Sequence, residues 1–396
     1  MSERPIRVLH LLNSVTDVGC GIVNAALDII SGQILQSLDV AVCSNPGGFV
    51  SLLKQNGIRH FPLDQGRRVV NLPRATIALR QIIKQFQPDI VHCHMMTGMV
   101  LARAVRITTR FGLVAHVHNV HQRSSNLMRL ADRVVAVSNA VMSDMAARGV
   151  PRRKLRVVHN GTLGSLRLLD LATAEPKNLS QPAIVTVGGM NHRKGIAELI
   201  SAFEQVSERI PGPHLYLVGN GPNRLEFETQ AAASRFASNI HFEGFQANPF
   251  PYMKAAHTFV LASRRDSFGL VLTEARQCDC AIIATNVDGI PEALDGGKAG
   301  LLVPPQDIPA LANAIIGLLE TPAEHARLKS RAKVGLERFG VERMASQITD
   351  IYRELIDASL GRKQVLEETG DISHTPMSLT RNDECTSTCT LSGELR

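Results

Sequence analysis

Two doubly wound α/β domains facing each other across a cleft are the architecture that this 396-residue sequence predicts, and three observations carry the expectation. At about 150 residues per domain the length gives two or three domains, each able to bury its own core. Short runs rich in Val, Ile and Leu recur, each followed by a longer stretch with helical spacing, as in a parallel sheet covered by helices on both faces. These runs fall into two similar sets of six, divided near residue 170 by a stretch without periodicity.

The first set is Ile6–Leu12, Asp39–Cys43, Ile90–His94, Leu113–His118, Val134–Ser138 and Leu155–His159, with a helix over Ile22–Ile30 after the first run. The second is Ala183–Val187, His214–Val218, Ile240–Phe242, Thr258–Ser263, Ala281–Thr285 and Gly300–Val303. Between them Leu168–Pro182 mixes Pro, Asn, Ser and charges, which reads as a linker. The expected domains are therefore 1–170 and 183–340, joined by 171–182. Val341–Leu360 reads as one amphipathic helix, and the polar, aperiodic stretch 361–396 is expected to be disordered.

Composition narrows the class. With 44% hydrophobic and 20% charged residues the chain is globular, and no run of about 18 apolar residues can span a bilayer. The formal charge of +7 is uneven: residues 1–175 carry 21 Lys and Arg against 10 Asp and Glu, and the remainder carries 22 against 26. A basic front half is expected to meet something anionic. Seven scattered cysteines make no secreted disulfide framework, and the apolar run at the start is too short for a signal peptide, so the expected compartment is the cytoplasm. No Trp and three Tyr argue against a carbohydrate module built on aromatic platforms.

Open α/β sheets bind ligands beyond the carboxyl ends of their strands, so the strand-to-helix loops are searched first. Val185-Thr-Val-Gly-Gly-Met-Asn-His-Arg-Lys-Gly195 places Arg193 and Lys194 just ahead of a helix over Ile196–Val206, either as an anion site or as a solvated basic loop. In Ala262-Ser-Arg-Arg-Asp-Ser-Phe-Gly-Leu-Val-Leu-Thr-Glu-Ala275, Ser267 reads as an N-cap with Gly269 just inside the helix. Asp266 and Glu274 would stand about 12 Å apart along a helix axis. That span suits a sugar at one end, a ribose at the other and a pyrophosphate over the amides of Ser267–Leu270, or simply a capping Asp and a solvent-facing Glu. Gly19 and Gly21 follow the first strand without completing a dinucleotide fingerprint, and an ordinary tight turn is the competing reading. His92, His94, His116, His118 and His121 cluster at two strand ends, where zinc is conceivable but no HExxH spacing or carboxylate pair completes a site.

Taken in order, these segments resemble the retaining family-4, or group 1, glycosyltransferases of the GT-B fold. The resemblance spans roughly residues 6–360. It rests on Asp89-Ile-Val-His-Cys-His94, Val117-His-Asn119, Ala131-Asp-Arg-Val-Val-Ala-Val-Ser138, Leu155-Arg-Val-Val-His-Asn-Gly161, Gly188 with Arg193-Lys-Gly195, Leu217-Val-Gly-Asn-Gly-Pro222, Asp266 with Glu274-Ala275, and Gly289-Ile-Pro-Glu292. It implies two Rossmann-like domains, the first for the acceptor and the second for a nucleotide-sugar donor, with the C-terminal helix crossing back to the first domain. Carried over by position, it implies that Lys194 and Arg193 grip the donor pyrophosphate and that the amides around Ser267, Phe268, Gly269 and Leu270 hold phosphate and sugar. It further implies that Glu274 binds the ribose, that Gly19 and Gly21 let backbone approach the reacting phosphate, and that His118 and Asp266 act at the donor sugar. Asn119 and Arg123 fall on the acceptor side, and His92 and His94 match positions linked to packing. Two departures stand out. Asp266 replaces the first Glu of the family's E-x7-E signature, losing about 1.5 Å of reach, and Gly189 stands where the family has Arg, a charge that Arg193 is expected to supply.

The resemblance implies sugar transfer to an acceptor hydroxyl with retention of configuration, no cofactor and no divalent metal, in polysaccharide or glycolipid biosynthesis. A hydrolase or epimerase on the same fold and a non-catalytic sugar-nucleotide binder are the competing readings. The acceptor is expected to be a glycan or lipid-linked sugar rather than nucleic acid. Gln65-Gly-Arg-Arg-Val69, Arg103, Arg106, Arg110, Arg123 and Arg129 make the front half basic enough to sit on an anionic membrane face.

Overall fold

The computed structural model describes residues 4–66, 71–119 and 123–370. Seven parallel strands make the first sheet: β1 (Arg7–Ser14), β2 (Asp39–Asn45), β3 (Arg59–Pro62), β4 (Ile90–Cys93), β5 (Gly112–Val117), β6 (Arg133–Ala136) and β7 (Leu155–Val157). Six make the second: β8 (Ala183–Val187), β9 (His214–Val218), β10 (Ile240–Gly244), β11 (Thr258–Leu261), β12 (Ala281–Thr285) and β13 (Leu301–Val303). Every run predicted as a strand is one. The addition is β3, whose Arg59-His-Phe-Pro62 lacks an apolar run because it is an edge strand, where Pro is tolerated.

The spatial orders are β3-β2-β1-β4-β5-β6-β7 and β10-β9-β8-β11-β12-β13. Each is the doubly wound order, and each reverses direction between its first and fourth strands. The central strands are buried on both faces, with Val8, Leu9, Leu11, Val91, Leu113 and Val134 fully covered in one sheet and Ile184, Val185, Phe259, Val260 and Ile283 in the other. Both sheets lie within one compact unit, Met1–Leu355.

The last helix, Val341–Gly370, runs past the end predicted at Leu360, so 361–370 is helical rather than part of a disordered tail. Arg362-Lys-Gln-Val-Leu-Glu-Glu368 are mostly good helix formers, which extend the helix past Gly361. The rest of the predicted tail, 371–396, lies outside the described residues. Up to Leu355 this helix packs on the first sheet's side of the molecule, burying Met344, Ala345, Ile348 and Tyr352. Gly32, in the helix Gly21–Leu35, makes the approach possible, since a Cβ there would lie 2.3 Å from the Val341 carbonyl oxygen. Glu354 accepts from Arg133 on β6 and Arg156 on β7 at 2.7 and 2.8 Å.

Candidate active site

A cleft of about 500 Å³ opens where the two switch points face each other. The loops after β1 and β8 line it together with the segment after β11: strand order sets the Lys194 and Asp266 loops side by side in the second sheet, and Gly19 of the first sheet lines the same cleft.

On the rear wall the loop after β8 makes a single 3-10 turn, His192–Lys194, before Gly195 starts the helix Ile196–Arg209. Gly195 has φ +66°, and a Cβ there would lie 1.9 Å from the Ala262 carbonyl oxygen, so only glycine seats this loop against the end of β11. Lys194 Nζ donates to Asp266 Oδ2 at 2.6 Å. Burial pushes the Asp266 carboxyl up, but the Lys194 charge and hydrogen bond, with Arg193 behind them, hold it below its ordinary value. Arg193 Nη1 donates to the Arg265 carbonyl at 3.1 Å, and its side chain lines the cleft.

Ser267 is not the N-cap expected from the sequence. Asp266 Oδ1 accepts from the Gly269 amide at 2.9 Å and, more weakly, from Phe268 at 3.4 Å, so the chain turns around Asp266 and Gly269 caps the helix Leu270–Gln277. Ser267 Oγ is buried without a hydrogen-bond partner. The amides free of intrahelical acceptors thus begin at Leu270.

Glu274 stands one turn inside that helix, and its Oε1 accepts from Arg167 Nη2 at 2.7 Å. Arg167 also grips Asp28 on the helix Gly21–Leu35 at 2.8 and 3.0 Å, and all three side chains are almost wholly buried. Burial raises both carboxyls against the pull of Arg167. A second link joins the two sheets' loops. Glu292 accepts from the Asn139 amide at 2.9 Å, the Ala140 amide at 3.2 Å and His159 Nε2 at 2.7 Å. Burial raises its carboxyl, but these donors outweigh burial and hold it low.

On the front wall Gly19 packs against the Phe245 ring, 3.3 Å from where a Cβ would sit, and Gly21 begins the first helix at the cleft. His118 and Asn119 line the cleft just beyond β5. Burial lowers His118 to about 3, so the ring is neutral near pH 7.

The structure brings to this one cleft His118, Asn119, Gly19, Gly21, Arg193, Lys194, Asp266, Ser267, Phe268, Gly269, Leu270 and Glu274. The exception is Arg123, which opens a 3-10 segment but whose side chain lies outside the described residues, as do Arg67, Arg68 and His121. Arg106 is not a free cation, being paired with Asp132 at 2.8 Å. Sequence reasoning missed Arg167, which sat in the stretch bordering the linker, and Asn160, Asn220 and Phe245, which also line the cleft. Asn160 and Asn220 had a signal, since both stand inside motifs already singled out for the resemblance.

Two facing doubly wound lobes with an anion-ready loop on one wall define the GT-B class. The model of the glycosyl transferases group 1 family matches residues 171–334, and that of glycosyltransferase family 4 matches residues 20–162. The chain belongs to this glycosyltransferase family. It is 26% identical to the N-acetyl-alpha-D-glucosaminyl L-malate synthase of Bacillus anthracis over 68% of this chain and 73% of that protein. Among solved structures it is similar to Anabaena HepE in complex with UDP and glucose, with a TM-score of 0.76 at 21% identity over 88% of this chain and all of that one. It is also similar to the sucrose-phosphate synthase of Thermosynechococcus elongatus, with a TM-score of 0.77 at 22% identity over 89% and 100%.

Proposed function

We propose that the protein transfers a sugar from a nucleotide-diphosphate sugar to an acceptor hydroxyl with retention of anomeric configuration, without cofactor or metal. The observation that carries this reading is the meeting, in one cleft, of a fixed cation pair, a helix N-terminus, two carboxylates and a neutral histidine. Breaking the bond between the sugar and the diphosphate builds negative charge on the leaving group. Lys194, Arg193 and the amides from Leu270 onward lie where that charge grows. The diphosphate draws Lys194 from Asp266, freeing that carboxylate to hold a sugar hydroxyl, while Glu274 holds the ribose. Gly19 and Gly21 leave room for backbone beside the reacting phosphate. The acceptor oxygen bonds to the anomeric carbon on the face from which the diphosphate leaves, and the leaving phosphate oxygen takes the acceptor proton, with Asp266 and His118 orienting the sugar.

Asn119 faces the acceptor in this reading, and the resemblance assigns Arg123 to the acceptor as well. Arg103, Arg110 and Arg129 are exposed, which supports an anionic or membrane-borne acceptor glycan approached from the cytoplasmic side. No helix among the described residues is long and apolar enough to cross a membrane.

A panel of UDP-, GDP- and ADP-sugars, followed by nucleotide release and thermal stabilisation, tests the donor half. Absence of any stabilising nucleotide sinks the reading. Acceptor-dependent product with the donor's anomeric configuration is the expected outcome, and turnover of donor alone to an epimer refutes transfer. Co-sedimentation with anionic but not neutral liposomes tests the acceptor side.

A further inference from the structure

Behind the front wall runs a chain of buried polar side chains that the reaction as described does not use. His10 on β1 and His92 on β4 are register partners, and their rings stack with those of His94, His116 and His118 at centroid distances of 4.4 to 5.7 Å. His118 Nε2 lies 2.9 Å from His94 Nδ1, and His94 Nε2 lies 2.9 Å from His10 Nδ1. His10 Nε2 lies 2.8 Å from Gln33 Oε1, and Gln33 Nε2 donates to the Tyr352 hydroxyl at 3.0 Å. That hydroxyl is 2.5 Å from His92 Nδ1. Gln33, His10 and Tyr352 are 0% exposed, so no solvent competes for these bonds.

The chain has a direction. A carboxamide oxygen only accepts, so His10 carries its proton on Nε2 and leaves Nδ1 bare. His94 must then donate from Nε2, which leaves its own Nδ1 bare, and His118 must donate to it from Nε2. This bookkeeping requires neutral rings. Burial holds His10 at about 4, His118 at about 3 and His94 well below its ordinary value. The nitrogen of His118 that remains is Nδ1, an acceptor on a ring that lines the cleft.

We propose that His94, His10, Gln33 and Tyr352 are positioning residues that lock His118 in the Nε2–H tautomer, so that its Nδ1 accepts a hydrogen bond from a hydroxyl of the transferred sugar. The proposal rests on the reading that places His118 at the donor sugar, and it makes the returning C-terminal helix part of that site through Tyr352. Ligation of an ion fits the stack less well. His94, His116 and His118 each bring one nitrogen within 4.8 Å of the others, but both nitrogens of His94 and Nε2 of His118 are already engaged in the hydrogen bonds of the chain.

The test is two-bond proton–nitrogen correlation spectroscopy on the full-length protein labelled with nitrogen-15 histidine at neutral pH, with His118 assigned by the signals missing in His118→Gln. The expected result is a protonated Nε2 and a bare Nδ1 on His118 in the wild type, and averaged tautomers in Gln33→Leu and Tyr352→Phe. Gln33→Glu, which keeps an acceptor for His10, restores the wild-type pattern. With whichever of UDP-, GDP- or ADP-glucose turns over, the first two variants lower kcat about tenfold and leave donor KM within about twofold. A protonated Nδ1 in the wild type, an unchanged tautomer in Gln33→Leu, or stoichiometric zinc with metal-shifted histidine signals overturns the proposal. If the tautomer responds as expected but His118→Gln keeps full kcat, the placement of His118 at the sugar is what fails, and the proposed role falls with it.

Discussion

The front wall of the cleft carries His10, His92, His94 and His116 as buried rings with a half-buried His118 at their end, whereas the rear wall holds a half-buried Lys194 against a buried Asp266 as an ion pair. Both walls hang from the same strand order, so topology does not dictate the difference. Neutral hydrogen bonds carry direction without a net field, which suits orienting hydroxyls. Fixed charges in a partly dehydrated loop carry a field, which suits a diphosphate whose charge rises as its bond breaks. Arg167 stands where the two regimes meet, holding Asp28 from the front and Glu274 from the rear.

The largest test of this contrast is therefore Arg167→Met. It leaves two buried carboxyls without their cation and is expected to cost about 3–5 kcal/mol of stability, read as a lowered denaturation midpoint. Restoring much of that loss by adding Asp28→Asn would tie it to the stranded charges rather than to lost packing.

On the rear wall, Lys194→Ala is expected to cut kcat/KM about 100- to 1000-fold. Arg193→Ala should raise donor KM by about tenfold, as for one charge-assisted contact. Unchanged donor affinity in the Arg193 variant beside an inactive Lys194 variant would mean that Arg193 does not stand in for the charge missing at Gly189.

Acid should separate the walls. His10 titrates at about 4 when folded against 6.5 when unfolded, so the unfolded chain takes up its proton first as pH falls. Its stabilisation is whole above about pH 6.5 and drains toward pH 4, roughly 3 kcal/mol for this ring alone. The Lys194–Asp266 pair runs in the same direction but in a lower window: its contribution is whole above the unfolded Asp value of 3.8 and drains only as pH falls below it. A melting temperature that stays flat between about pH 7 and pH 5 would contradict the neutral-histidine wall. The smallest effect is expected for Glu292→Ala, about 1 kcal/mol after allowance for partial exposure, because its carboxylate is held by several modest donors.

The two-lobed plan was legible because strands buried on both faces read as apolar runs, and the loops of Lys194 and Asp266 were legible because charged residues interrupt such runs at strand ends. Arg167 was not, since a lone Arg in an aperiodic stretch gives no sign that two distant carboxyls will enclose it. Nor was the histidine chain. The sequence set His92 and His94 together at one strand end, but only the register of β1 against β4 brings His10 beside them, and only the return of the last helix delivers Tyr352. Ser267 was misread because the neighbouring Asp266 outcompetes it for the same amides.

That returning helix has a consequence for how the chain is made. Met344, Ile348 and Tyr352 complete the packing around the front sheet, and Glu354 ties down β6 and β7, yet all four are translated after the entire rear lobe. A ribosome therefore releases the first lobe unfinished and the second nearly whole. The nascent front lobe must wait, with Gln33 and His92 lacking their Tyr352 partner, until synthesis has passed residue 354. Expressing the lobes as separate polypeptides would divide the gene at a place where the protein has no division.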